Sequence, residues 1–190
     1  QNTKVYSLAY NQDGSKIYSG NINGLINLWD LKTDSILKTF SGHEAGVNSI
    51  ALGPKGDKLV SGSVDNALKI WDVNSGLVLR TISNFNAGVN TVAFSPDGGK
   101  IVSGSNDQSI VILDANDGSE LKKITGHTGS VKSVCFSADG KNILSGSSDR
   151  TIKLWDADSG INLMTFNGHA NTVTSVAFSP DGNIVVSGSI

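Results

Sequence analysis

The sequence predicts an all-β fold made of a repeated unit of short antiparallel strands. A dipeptide of a large apolar residue followed by Asp recurs every 42 residues, at Trp29-Asp30, Trp71-Asp72, Leu113-Asp114 and Trp155-Asp156. Within each repeat, four short stretches of apolar and β-branched residues are separated by turn-forming residues. No segment between them has the apolar periodicity of a helix. Short strands joined by turns, without crossover helices, form antiparallel sheets.

Other residues share the same period. A Gly-His pair occurs at Gly42-His43, Gly126-His127 and Gly168-His169, and valines recur at Val5, Val47, Val89, Val131 and Val173. Independent features on one period indicate a repeat architecture, in which each unit buries its apolar face against its neighbours.

The strands follow one another in a fixed order within a repeat. Residues 89–94 predict a buried first strand, and Ser95-Pro96-Asp97-Gly98 predicts the hairpin turn after it, because Pro fixes φ and Gly accepts a positive φ. In the next repeat, residues 141–146, 151–155 and 161–166 predict the second, third and fourth strands. Turns are expected at 148–150 and 158–160.

Composition narrows the classes of function. The chain has 190 residues, of which 38% are hydrophobic and 17% charged, with a formal net charge of −2. Its 15 basic residues are scattered, which argues against nucleic-acid binding. No stretch reaches the roughly 18 apolar residues needed to cross a bilayer, so no membrane insertion is expected. Cys135 is the single cysteine, which favours a reducing compartment and an intracellular, cytoplasmic location.

The paired Gly-His and Trp-Asp dipeptides resemble those of the WD-repeat (β-transducin-like) family. This resemblance implies a β-propeller of four-stranded antiparallel blades, with about 4.5 blades present from a seven- or eight-bladed ring. The expected blades are residues 3–40, 45–82, 87–124 and 129–166, followed by a half-blade at 171–190. The remaining blades would come from the same longer chain or, alternatively, from another chain.

The resemblance also implies a structural hydrogen-bond network in two blades. Its members are His43, Ser61, Asp65 and Trp71, and then His127, Ser145, Asp149 and Trp155. Ser, His and Asp could instead form a catalytic triad. Because the same set recurs in successive repeats, each time with a Trp, the structural interpretation is favoured and no catalytic residue is predicted. Buried polar groups of this kind satisfy one another in series.

Two blades depart from this pattern. In the third, Phe85 and Leu113 stand where His and Trp would be, so both ends of the link are apolar, while Asp107 remains and is expected to accept backbone N–H groups in its turn. In the first blade, Asn23 stands in the place of Asp, although Ser19 and Trp29 are present. We expect no complete network in either blade.

No cofactor or metal site is predicted. The histidines belong to different repeats, and no phosphate-binding glycine motif is present. Cys135 lies in an apolar first strand, where a small buried side chain is expected rather than a reactive thiol. Arg150 follows a turn and is expected to be solvated or locally paired.

The resemblance implies a non-catalytic scaffold that binds other proteins within a larger assembly. Binding would use the surface where the first strands begin and the second strands turn into the third. The candidate partner-binding residues there are Asn48, Asn90, Asn106, Lys132, Ser148 and Thr174. The alternative is a sensor or regulatory propeller appended to a larger enzyme, such as a kinase or an NTPase.

Overall fold

The computed structural model describes residues 3–190, and over this range the chain forms eighteen β-strands and no helix. No described segment could therefore cross a membrane as a helix. The chain separates into two compact units, residues 1–89 and 90–190, each of which is described by itself.

The first unit holds two four-stranded antiparallel sheets. The first sheet is β1 (Val5–Tyr10), β2 (Lys16–Asn21), β3 (Ile26–Asp30) and β4 (Ser35–Phe40). The second sheet is β5 (Val47–Leu52), β6 (Lys58–Ser63), β7 (Leu68–Asp72) and β8 (Val78–Ile82). Each strand pairs with the next along the chain, as expected where tight turns join the strands.

The second unit holds two four-stranded sheets and one two-stranded sheet. Its strands are β9 (Val89–Phe94, starting at the unit boundary), β10 (Lys100–Ser105), β11 (Ile110–Asp114), β12 (Glu120–Ile124), β13 (Val131–Phe136), β14 (Asn142–Ser147), β15 (Ile152–Asp156), β16 (Asn162–Phe166), β17 (Val173–Phe178) and β18 (Val185–Ser189). The all-β prediction is confirmed, and the sheets match four blades and a half-blade. The total number of blades stays a prediction.

The turns between first and second strands follow the expected chemistry. Gly98 has a φ of 74°, and its N–H donates to the Ser95 carbonyl at 2.9 Å. Asp97 Oδ1 accepts from the Ser95 hydroxyl at 2.6 Å and from the Gly99 N–H at 2.9 Å. The Asp97 side chain thus stabilises the turn by hydrogen bonds to residues of the turn itself, as Asp does in tight turns.

The apolar core lies between successive sheets. In the first unit, one sheet supplies Tyr18, Ile26, Leu28 and Phe40, and the next supplies Val47, Ile50, Leu59 and Trp71. In the second unit, the equivalent layer joins Val102, Ile110, Ile112 and Ile124 to Val131, Val134, Ile143 and Trp155. A smaller layer joins Leu144 and Ile152 to Val173 and Val176.

A hydroxyl on three of the first strands, β1, β9 and β13, links neighbouring sheets. Ser7 Oγ accepts from the Ile50 N–H at 3.0 Å. Thr91 Oγ1 and Ser133 Oγ accept in the same way from Val134 and Val176, each at 3.2 Å. Because this bond uses a polar side chain inside an apolar layer, it fixes the position of one first strand against the next.

Glycine in the second strand allows the sheets to approach closely. A Cβ added at Gly104 would lie 2.5 Å from Val131 Cγ1, and one at Gly146 would lie 2.7 Å from Val173 Cγ1. The recurring Ser-Gly-Ser of the second strands therefore reflects close packing of the following valine.

Candidate functional site

Four first strands, β1, β5, β13 and β17, carry a β-bulge where they begin. Residues Tyr6, Asn48, Lys132 and Thr174 are the extra residues, since the pairing passes from Val5 to Ser7, Val47 to Ser49, Val131 to Ser133 and Val173 to Ser175 while the partner strand advances by one. A bulge leaves its residue out of the ladder and turns its side chain in a new direction. Three of the six candidate partner-binding residues occupy these bulges.

The two candidate asparagines on first strands use part of their hydrogen-bonding capacity within the fold. Asn48 Nδ2 donates to the Val89 carbonyl at 3.0 Å, and Asn90 Nδ2 donates to the Val131 carbonyl at 2.9 Å. Each amide thus reaches the first strand of the following repeat. Their side-chain oxygens can still accept a hydrogen bond.

In the second unit, three candidate residues come together around one oxygen. Asn106 Oδ1 accepts from Asn90 Nδ2 at 2.8 Å and from Lys132 Nζ at 3.1 Å. Asn106 is exposed, while Asn90 and Lys132 are half-buried. This arrangement holds a lysine ammonium at the surface in a fixed position.

The other two candidates bond only to nearby backbone. Ser148 Oγ donates to the Ser130 carbonyl at 3.4 Å, and Thr174 Oγ1 donates to the Gly188 carbonyl at 3.3 Å. Thr174 is exposed and Ser148 half-buried. Among residues 3–190, neither side chain forms a hydrogen bond with Asn90, Asn106 or Lys132.

Sequence reasoning missed an apolar group at the equivalent repeat positions of the first unit. Tyr6, Ile22 and Val64 are 50%, 41% and 52% exposed. A Cβ added at Gly46 would lie 3.4 Å from Tyr6 Cε2 and 3.2 Å from the Ile22 carbonyl oxygen, and the Gly46 carbonyl accepts from the Val64 N–H. These residues share the 42-residue register of Asn48 and Asn106, so the period that selected polar candidates could also have found them.

The turns between second and third strands hold a residue in the left-handed region. It is Gly24, Asn66, Gln108 and Arg150 in turn, with φ of 80°, 65°, 74° and 72°. Gln108 and Arg150 are exposed residues, so their side chains project from strained backbone at this surface.

The structure also brings together the residues of both predicted networks. In the first unit, His43 Nδ1 lies 2.8 Å from Asp65 Oδ2, His43 Nε2 lies 2.7 Å from Ser61 Oγ, and Trp71 Nε1 donates to Ser61 Oγ at 2.8 Å. The equivalent distances from His127 to Asp149, from His127 to Ser145 and from Trp155 to Ser145 are all 2.7 Å.

The donors and acceptors define the protonation state of these networks. A carboxylate only accepts, so Nδ1 carries the histidine proton and Nε2 accepts from the serine hydroxyl. Burial lowers the pKa of His43 and of His127, although the partner aspartate acts in the opposite direction. Both rings are therefore neutral at pH 7.

The aspartates of both networks also accept hydrogen bonds from backbone N–H groups. Burial acts to raise the pKa of Asp149, but hydrogen bonds from Thr151, His127 and Thr128 outweigh it and lower this pKa to about 2. Asp65 has a lowered pKa for the same reasons, with bonds from the Glu44 and Ala67 N–H groups. Each carboxylate thus ties the loop before a first strand to a turn.

Although the Ser-His-Asp geometry resembles that of a nucleophilic triad, its surroundings differ. Ser61 and Ser145 are fully buried, and each hydroxyl oxygen already accepts from a tryptophan. A nucleophile must reach a substrate carbonyl beside an oxyanion hole, so these serines cannot act in that role.

In the repeats that lack part of the network, the polar groups at its positions have other hydrogen-bond partners. In the first repeat Asn21 Oδ1 accepts from the Asn23 and Leu25 N–H groups, while Trp29 Nε1 still donates to Ser19. In the third repeat the Ser103 hydroxyl donates to the Val111 carbonyl at 3.3 Å, and Asp107 accepts from the Ser109 N–H. In the half-blade the histidine-to-serine contact of the complete networks recurs, with His169 Nε2 2.7 Å from Ser187 Oγ.

Two remaining site hypotheses concern cysteine and metal ions. Burial raises the pKa of the Cys135 thiol to about 11, so the thiolate, which is the reactive form, is rare at neutral pH. Over residues 3–190 no group of three or more His, Cys, Asp or Glu side chains could hold a metal ion.

Comparison with known proteins places these features in context. The sequence model of the family described as WD domain, G-beta repeat matches residues 1–30, 34–72, 76–114, 118–156 and 160–190. A WD repeat-containing protein SL1-17 of Schistosoma mansoni is 49% identical over 45 residues. That match covers 24% of this chain and 15% of the relative, so the chain spans only a small part of that protein's length.

Proposed function

The chain belongs to the WD-repeat family, and from this premise we propose that it is a non-catalytic platform that holds other proteins in a larger assembly. WD repeats generally mediate protein–protein interactions and are typically non-catalytic. The proposed binding surface is formed by the bulges of the first strands and the turns between second and third strands.

The recurrence of the bulge is the observation that supports this proposal. Bulges turn side chains out of the ladder, and here the chemistry of the exposed positions changes while the backbone repeats. The first unit presents Tyr6, Ile22 and Val64, whereas the second presents Asn106 and Lys132. Constant geometry with variable side chains suits recognition of a specific protein, because aromatic and apolar anchors supply affinity and polar groups supply specificity.

Site-specific photo-crosslinking tests this proposal. A photoreactive amino acid is placed at Val64 or Asn106 and, as matched controls, at Ala138 or Asp181, exposed residues in turns between first and second strands of the second unit. We expect the same protein to be captured from the native source at Val64 and Asn106 but not at the controls. Equal capture at all four positions, or capture at the controls alone, would contradict the proposal.

A binding measurement with the captured protein, once purified, completes the test. Tyr6→Ala is expected to weaken binding by about 1–3 kcal/mol if the ring is an anchor. His127→Ala, which changes a buried network, should leave affinity unchanged in folded protein.

A further inference from the structure

The first unit contains a cleft between its two sheets, on the side where first strands turn into second strands. Its volume is about 490 Å³. Apolar side chains of Tyr18, Leu28, Leu52 and Val73 line it together with polar groups that include Lys16 and Asn74. Its lining is evenly divided between polar residues and the rest, and concave sites that combine apolar surface with converging polar groups are typical of binding sites.

One of the two lysines that line this cleft already donates hydrogen bonds within the fold. Lys38 Nζ donates to the Val73 carbonyl at 3.2 Å and to the Asn74 carbonyl. Lys122, its counterpart in the second unit, donates to the Ser159 carbonyl at 3.0 Å, one residue beyond the counterpart of Asn74. A lysine contact with this turn is therefore present in both units, and it leaves Lys38 little capacity for a ligand.

The other lysine has no such partner. Among residues 3–190, the Lys16 ammonium takes part in no hydrogen bond or ion pair, and the residue is half-buried at the cleft. The nearby carboxylate of Asp13 accepts from Asn11 Nδ2 and the Ser15 N–H, each at 2.8 Å. The carboxylate of Asp30 accepts from the Lys32 and Thr33 N–H groups. Both acids are engaged in their own turns, whose hydrogen bonds lower the pKa of each, and the Lys16 ammonium lowers it further by charge attraction without forming an ion pair with either.

The second unit shows which group this lysine position can bind. Lys100 lies two repeats after Lys16, and its Nζ forms an ion pair with Asp158 Oδ1 at 2.6 Å. Asp158 lies two repeats after Asn74. Asp97, the counterpart of Asp13, is likewise held by its own turn, so the turn acids do not explain why Lys100 is paired and Lys16 is not. The difference is the replacement of a carboxylate by the neutral Asn74.

We propose that the cleft binds an acidic side chain of a protein partner, with its carboxylate on Lys16 and an adjacent apolar residue on Leu28, Leu52 and Val73. The inference rests on the proposed protein-binding function and adds a second contact surface to it. The lining contains two lysines and one aspartate, so its charge complements an acid. Tyr18 and Leu28 are 2% and 7% exposed, so they form the packed floor of the cleft. Leu52 and Val73 are half-buried and offer its more accessible apolar surface.

The test uses the 190-residue chain and two short peptides, acetyl-Ser-Leu-Glu-Leu-Ser-amide and the same peptide with Gln in place of Glu. Methyl resonances of Leu28, Leu52 and Val73 are followed by NMR during titration. We expect saturable shifts with the Glu peptide and about fivefold weaker binding of the Gln peptide, as for a partly exposed ion pair.

Variants separate the lysine from the rest of the cleft. Lys16→Met should reduce binding of the Glu peptide to that of the Gln peptide. Asn74→Asp should do the same while leaving Lys16 present, because it recreates the pair of Lys100 and Asp158 inside the chain. Asp158→Asn, in the other unit, is the matched control and should leave the shifts of Leu28, Leu52 and Val73 unchanged.

Each outcome has a defined meaning, provided that the amide spectrum of every variant shows a folded chain. Equal binding of both peptides, undiminished binding by Asn74→Asp, or no shift of the three residues with the Glu peptide would overturn the inference. None of these results bears on crosslinking at Val64 and Asn106. Failure of the cleft and failure of the proposed platform are therefore distinguishable.

Discussion

At the scale of single residues, each complete network depends on a histidine that joins a serine to an aspartate. Replacing His127 by Ala leaves the Ser145 hydroxyl and the Asp149 carboxylate without this partner in a buried place. We expect His127→Ala to lower the free energy of unfolding by about 1–3 kcal/mol, measured by urea denaturation. Thr128→Ala is the control: this exposed residue donates only its backbone N–H to Asp149, which alanine keeps, so the change should cost less. Equal effects would contradict a structural role of the complete network.

The same histidines predict how stability depends on pH. Their pKa values are lowered in the folded chain, whereas the unfolded value is about 6.5. Below pH 6.5 the unfolded chain therefore binds more protons than the folded chain, and the free energy of unfolding falls as pH decreases. Asp149, with a pKa of about 2, adds a second loss at lower pH, below the unfolded value of about 3.9.

Urea denaturation at intervals between pH 8 and pH 5 measures the first of these losses. We expect a constant free energy of unfolding above pH 7 and a decline below pH 6.5. The double variant His43→Gln/His127→Gln should be less stable, and its free energy of unfolding should change less with pH in this range. A decline of equal slope in both proteins would assign the effect to other groups.

At the scale of elements, the turn between second and third strands keeps one left-handed residue whatever its side chain. A left-handed conformation costs a non-glycine residue about 1–2 kcal/mol, and glycine loses roughly 0.5–1 kcal/mol more on folding. The exposed Gln108 has a φ of 74°. Gln108→Gly is therefore expected to raise the free energy of unfolding by about 0.5–1 kcal/mol.

The control for this prediction is Asn66→Gly. Its φ of 65° is similar, but asparagine tolerates the left-handed region better, so the gain should be smaller. Thermal and urea unfolding of both variants measure the difference. A loss of stability in Gln108→Gly would mean that its side chain makes contacts that outweigh the backbone strain.

The strands and turns were predictable because their signals are local and repeated. The Ser95-Pro96-Asp97-Gly98 turn forms as its residue types require. Contacts between repeats are less accessible to such reasoning. The period aligns Lys16 with Lys100, but only the structure shows that Lys100 meets Asp158, 58 residues away in the sequence. Likewise, the bulges at Asn48 and Lys132 depend on pairing with another strand, which no local pattern reveals.

At the scale of the whole molecule, the same apolar position of the repeat is buried in some repeats and exposed in others. Leu8 is 58% exposed, whereas its counterparts Ile50 and Val134 are each 5% exposed. Val186 is also 58% exposed, whereas its counterparts Val102 and Leu144 are fully buried. Apolar sheet faces left open in this way favour association with other apolar surfaces.

We therefore expect the purified 190-residue chain to associate as its concentration rises, with a weight-average sedimentation coefficient that increases accordingly. Leu8→Glu and Val186→Glu should each reduce this association, because a charge on a sheet face is costly to bury. Leu77→Glu is the control, since Leu77 is 68% exposed beside a turn, outside those faces. If the unchanged chain stays monomeric at high concentration, or if all three variants act alike, the open faces are not the cause of association. If only the two face variants remain monomeric, these faces are the surfaces that a neighbouring sheet would cover.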